Sequence, residues 1–144
     1  MCSLRSVLDQ AALGERQIII DCDVIQADGG TRCAGITGAY IAVVDALAPL
    51  IKDGRLKTLP LREPVAAVSV GLFAGEARLD LDYLEDSSAD VDMNVVSTGS
   101  GRFVELGATA EKASFSDEEL AALISVARKG LGELFEAQRR CLSL

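Results

Sequence analysis

The sequence predicts an α+β fold, a mixed β-sheet packed with α-helices. Three observations predict it. Alternating apolar segments joined by short glycine turns fill the middle of the chain, a long helical pattern lies on either side, and no repeat, low-complexity tract or linker divides it. A single domain over residues 1–144 is therefore expected. In order, Ser3–Leu8 reads as a short helical stub ending near Leu13-Gly14. Arg16–Ile25 has the apolar character of a strand, interrupted by Asp21 and Asp23. A helix starts near Thr31, and because Ala34–Leu47 is apolar nearly all round, it should be buried on most sides. Pro49 suits the first position of a new short turn through Lys52, closed by Asp53-Gly54.

Val65–Leu72 reads as a buried strand, which Ala74-Gly75-Glu76 turns into a second strand, Ala77–Tyr83. Thr98-Gly99-Ser100-Gly101 makes another hairpin between Asp90–Ser97 and Phe103–Ala108. The clearest helix runs from Asp117 to about Arg140. Ser116 and Glu119 form a capping box at its start, and Leu120, Leu123, Ile124, Ala127, Leu131, Leu134 and Phe135 mark its apolar stripe. Gly130 and Gly132 should weaken it locally.

Composition narrows the function classes. Of 144 residues, 49% are hydrophobic and 25% charged, as in a globular chain. No uninterrupted apolar run approaches the ~20 residues of a membrane span, and the N-terminus lacks a signal-peptide core, so no membrane partner is expected. Histidine is absent, which excludes histidine-dependent triads and leaves carboxylates, Lys, Tyr or a metal for acid–base work. Cys2, Cys22, Cys33 and Cys141 are scattered without a C-x-x-C pair, as expected for reduced, mostly buried thiols in a cytoplasmic protein. A net charge of −8 argues against a broad basic face for nucleic acid.

Two segments carry chemistry. Asp21–Arg32 joins a β-like run to a helix through Gly29 and Gly30. Such a junction points unpaired N–H groups outward at the positive end of the helix dipole, a geometry suited to phosphate. Thr31 adds a hydroxyl and Arg32 a planar fork of donors. On spacing alone, an ordinary strand-to-helix turn with a threonine cap is the simpler reading. The second segment, Glu76–Asp92, holds seven acids and one base, Arg78. A solvated face is the usual meaning of such a run. Carboxylates brought together by two strands instead need a cation or proton, and an oxygen-only set suits Mg²⁺ or Mn²⁺.

With these elements placed, the sequence resembles the ribonuclease PH family of phosphorolytic exoribonucleases. The resemblance lies in Leu13-Gly14-Glu15-Arg16, Asp21–Arg32, Ile36-Thr37-Gly38-Ala39-Tyr40 and Val65–Gly71. It continues through Leu81–Ser87, Val91–Val96, Thr109-Ala110-Glu111 and Phe115-Ser116. It implies phosphorolysis of RNA 3′ ends, notably tRNA precursors, with inorganic phosphate as co-substrate, nucleoside diphosphates as product and Mg²⁺ (or Mn²⁺) assisting. It also implies a homo-oligomeric, hexameric ring. The family's phosphate-binding Gly-Thr-Arg corresponds to Gly30, Thr31 and Arg32, and its two reaction-centre aspartates to Asp86 and Asp92, as metal ligand and acid in unassigned order. For each aspartate the plain alternative is a turn cap or a pairing with Arg78 or Arg102. Asp28 fits a loop brace, and Asp80 and Asp82 fit outer or solvent-facing positions.

Met1 falls well inside the family's pattern, so the part that supplies its first strands, another phosphate-contacting arginine and much of its basic surface is expected to be missing. Cys33, Gly35, Ser100 and Leu106-Gly107-Ala108 also depart from the pattern. The resemblance therefore supports two readings: a phosphorolytic exoribonuclease, or a non-catalytic ring subunit that keeps the fold.

Overall fold

The computed structural model describes residues 3–112 and 114–142. A 3₁₀ turn (Ser3–Ser6) leads to a one-turn helix α1 (Gln10–Leu13), started by the Asp9 carboxylate accepting from the Ala11 and Ala12 amides. After an irregular stretch comes α2 (Thr31–Lys52), followed by strands β1 (Val65–Phe73) and β2 (Glu76–Leu79). A short helix α3 (Tyr83–Ser88) precedes β3 (Val91–Thr98) and β4 (Phe103–Ala110), and α4 (Asp117–Leu142) closes the chain.

The four strands form one sheet in the order β2-β1-β3-β4, with every pairing antiparallel. Side chains alternate between its faces. Ala66, Val68, Val70 and Leu72 of β1, with Val91, Met93 and Val95 of β3, pack against Leu123, Ala127 and Leu131 of α4. On the other face Val65, Ala67 and Val96 pack against Ile36, Ala39, Tyr40, Val43 and Leu47 of α2. The sheet is thus sandwiched between two helices, and the α+β class holds. The sheet is antiparallel throughout rather than mixed, because its strands follow one another through hairpins and one short helix with no parallel crossover.

The short β2 pairs only with Val70–Phe73, so the first half of β1 would be an open edge. Side chains and a turn close it. The Thr37 hydroxyl accepts from the Ala67 amide (3.0 Å) and donates to the Ala67 carbonyl (3.3 Å). Gln138 Nε2 donates to the carbonyls of Val65 (2.9 Å) and Thr37 (3.0 Å), and the Asp80 amide donates to Ser69 (2.9 Å). The capping box forms as expected: the Glu119 amide donates to Ser116 Oγ (3.2 Å), and the Ser116 amide to Glu119 Oε2 (2.7 Å).

Several expectations are corrected. Arg16–Ile25 is not a strand: it runs irregularly beside α2, with Ile19 and Ile25 82% and 96% exposed. Apolar composition without a partner to complete a ladder does not make a strand. Pro49 does not begin a new turn but lies inside α2. The ring removes only one donor, and the Asp53 amide still bonds the Pro49 carbonyl (2.9 Å). That helix is buried along one side rather than most, with Ala34, Gly38, Ala42 and Ala46 exposed. By length and composition alone it is apolar enough to cross a bilayer.

The strand expected over Ala77–Tyr83 ends at Leu79, because Asp80 turns the chain at φ 58° and Asp82 caps α3 by accepting from the Glu85 amide (2.8 Å). Gly130 does not break α4. A Cβ there would meet Leu79 Cδ1 at 2.6 Å, so the glycine lets β2 and α4 approach. Of the thiols, Cys33 is buried but Cys22 and Cys141 are exposed; Cys2 lies outside the described residues.

Candidate functional site

The junction into α2 is held by backbone proximity that only glycine allows. A Cβ on Gly29 would lie 1.9 Å from the Leu81 carbonyl oxygen. Asp28 Oδ1 accepts from the amides of Gly29 (3.0 Å) and Tyr83 (2.6 Å), so the loop is stitched to the start of α3, and Asp28 braces it as expected. Gly30, at φ 72°, is the residue that starts the helix, so Thr31 is the first helical residue rather than its cap. Having no side chain, Gly30 leaves the first-turn amides without an internal cap. A Cβ on Gly30 would come 3.7 Å from both Asp80 Oδ1 and Ser69 Cβ, which places the helix start against the polar end of the sheet.

That end belongs to the α2 face. Asp92 on β3 stands opposite Gly71 of β1 and Thr109 of β4; two residues on, Asn94 faces Ser69 and Gly107. Asn94 Oδ1 accepts from Cys33 Sγ (2.9 Å), tying the first turn of α2 to the sheet. Burial pushes the Cys33 thiol up to about 11; Asp92, Glu105 and Asp80 raise it further and Arg32 opposes them, so these groups share one neighbourhood. Burial also raises the Asp92 carboxyl, helped by the charges of Asp86 and Glu111. Its Oδ1 is buried with no hydrogen-bond partner among the described residues.

Gly30, Arg32 and Asp92 are thus brought together, and Asp86 on α3 lies close enough to act on Asp92 electrostatically. Thr31 and Arg32 together line a hollow with Ser3, Cys22, Val24, Gly35 and Ile36. Arg78 pairs with Glu85 and Glu76, and among the described residues neither Asp86 nor Asp92 forms an ion pair with Arg78 or Arg102. No group of three or more His, Cys, Asp or Glu residues is arranged for a metal among the described residues. Asp86 and Asp92 remain as a pair of acids.

Sequence reasoning missed three neighbours: Ser69, Asn94 and Glu105. Glu105 Oε1 and Oε2 accept from Arg32 Nη2 at 2.8 and 2.9 Å. The available signal was strand alternation, since Glu105 pairs with Val96 and so shares the α2 face with Asn94 and Asp92.

Comparison with known proteins gives these elements relatives. Residues 63–130 match the family model described as 3′ exoribonuclease family, domain 2. Proteins named Ribonuclease PH from Neisseria meningitidis serogroups A, B and C are 57% identical to the chain over 141 residues. The match takes in 98% of this chain but 58% of each relative, so the chain spans about three fifths of their length. The crystal structure of rice (Oryza sativa) Rrp46 superposes with a TM-score of 0.64 at 18% identity, covering 83% of this chain and 51% of that one, a likeness of fold. By sequence, with the fold in agreement, the chain is similar over nearly its whole length to part of proteins named Ribonuclease PH, and its residues 63–130 match domain 2 of the 3′ exoribonuclease family.

Proposed function

We propose that this chain carries the phosphate-binding and acidic groups of a phosphorolytic 3′-5′ exoribonuclease acting on RNA 3′ ends, tRNA precursors among them. The observation that carries this reading is the meeting of the α2 start with Asp92 on one sheet face, in a chain 57% identical to proteins named Ribonuclease PH. The first-turn amides, the Thr31 hydroxyl and the Arg32 guanidinium would hold inorganic phosphate. One of its oxygens attacks the terminal phosphodiester phosphorus. The bond from phosphorus to the 3′ oxygen breaks, releasing a nucleoside diphosphate, and that oxygen takes a proton. A carboxyl among Asp86 and Asp92 would supply it, and the raised Asp92 group suits proton holding.

A divalent cation, Mg²⁺ or Mn²⁺, would be held by whichever of Asp86 and Asp92 does not supply that proton. The unpartnered Asp92 oxygen and the repulsion from Asp86 and Glu111 support that fit. A single carboxylate suits an ion that keeps water and substrate oxygens in its remaining positions. When bound, it would offset charge on the RNA phosphodiester. A cytoplasmic homo-oligomer, a hexameric ring, completes the reading.

The test is incubation of a short RNA with inorganic phosphate and Mg²⁺, with Asp92→Ala alongside. Release of nucleoside diphosphate that falls about 10²–10⁴-fold in the variant is expected. Intact RNA with well-folded wild type would leave the second reading, a non-catalytic ring subunit, which the net charge of −8 favours.

A further inference from the structure

The Arg32–Glu105 pair presents an electrostatic puzzle. Arg32 is in the first turn of α2, where the helix dipole disfavours a cation. The guanidinium is nevertheless held, by a carboxylate from a strand 73 residues away in sequence. Both contacts use Nη2 alone, at 2.8 and 2.9 Å, and neither involves Nε or Nη1. The pair is half-exposed, with side-chain accessibilities of 54% for Arg32 and 37% for Glu105, so it contributes little to stability. What it fixes is direction. A long side chain that would otherwise sample many rotamers is tethered at one nitrogen, with its other N–H groups left to meet an anion.

We propose that Glu105 is a positioning residue that aims Arg32 at the oxyanion, rather than a surface partner or a competitor for the guanidinium. This rests on the oxyanion reading of the α2 start. Glu105 is aligned for the task by its own strand. It pairs with Val96, sharing a face with Asp92 and Asn94, and Gly107 between Glu105 and Thr109 presents no side chain there. Pre-ordering the arginine lowers the conformational entropy lost when phosphate binds.

The experiment is calorimetric titration of inorganic phosphate into the full chain and into Glu105→Ala, Glu105→Gln, Arg32→Ala and the Arg32→Ala/Glu105→Ala double variant, with thermal unfolding of each. Glu105→Ala is expected to weaken phosphate about three- to tenfold at unchanged melting temperature. Glu105→Gln, which keeps one acceptor for Nη2, should recover most of that loss. In the Arg32→Ala background the Glu105 change should cost nothing further, since one residue acts through the other. Equal or tighter phosphate binding by Glu105→Ala, or additive losses in the double variant, would overturn the inference. Wild type that binds no phosphate would overturn the oxyanion reading, and the inference with it. Wild type that binds while Glu105→Ala matches it overturns the inference alone.

Discussion

Strand β3 presents two unlike faces. Towards α4 it shows Val91, Met93 and Val95, each 1% exposed or less, packed on Leu123 and Ala127, which are fully buried. Towards α2 it shows Asp92 and Asn94 before reverting to the buried Val96. One face is chosen for tight apolar packing. The other keeps a carboxylate oxygen buried without a partner, an arrangement that costs stability and points to a use, beside a thiol that donates to the Asn94 side-chain oxygen. The lesson is that a period-two strand can give one side to the core and the other to chemistry without compromise between them.

Three changes would break or sharpen that contrast. The largest effect belongs to the apolar face. Leu123→Ala should cost about 2–5 kcal/mol of unfolding free energy by denaturant titration. A cost below about 1 kcal/mol would mean that this face is not the main core. Next, Arg32→Ala on the polar face should weaken apparent phosphate affinity by tenfold or more, the scale of a charged hydrogen bond (about 1.5–3 kcal/mol). Its stability should move by less than about 1 kcal/mol, since the pair it breaks is half-exposed. An unchanged phosphate affinity would count against the loop assignment.

The smallest effect concerns Asp92→Asn. Because folding raises this carboxyl, its ionised form opposes folding at neutral pH. The variant should melt higher than wild type at pH 7–8. That advantage should shrink as pH falls through the ordinary carboxylate range and vanish below it, where folded and unfolded chains are both protonated. A difference independent of pH would place the cause outside Asp92 ionisation.

The strands and α4 were legible because their signals are local: alternation, glycine turns and the Ser116–Glu119 box each act within a few residues. Residues 16–25 misled because apolar content records a wish for burial, while a strand also requires a neighbour with free N–H and C=O groups. Leu79 and Tyr83 misled in another way. The alternation across them was real in sequence, but Asp80 in a left-handed conformation breaks it, leaving Leu81 buried and Tyr83 exposed. In the candidate site, the glycine pair and the acids could be read as separate segments. Their meeting through Cys33, Asn94 and Ser69 could not, since it depends on tertiary register across more than sixty residues, as between Cys33 and Asn94 (|i−j| = 61). Glu105 was invisible for the same reason.

The single carboxylate of Asp28 spans Gly29 and Tyr83, joining a hinge-like glycine pair to the head of α3. Two places about 55 residues apart in sequence therefore share one acceptor oxygen. The exposed Tyr83 and Leu84 thus stand on the same short bridge that ties the entrance of α2 to α3.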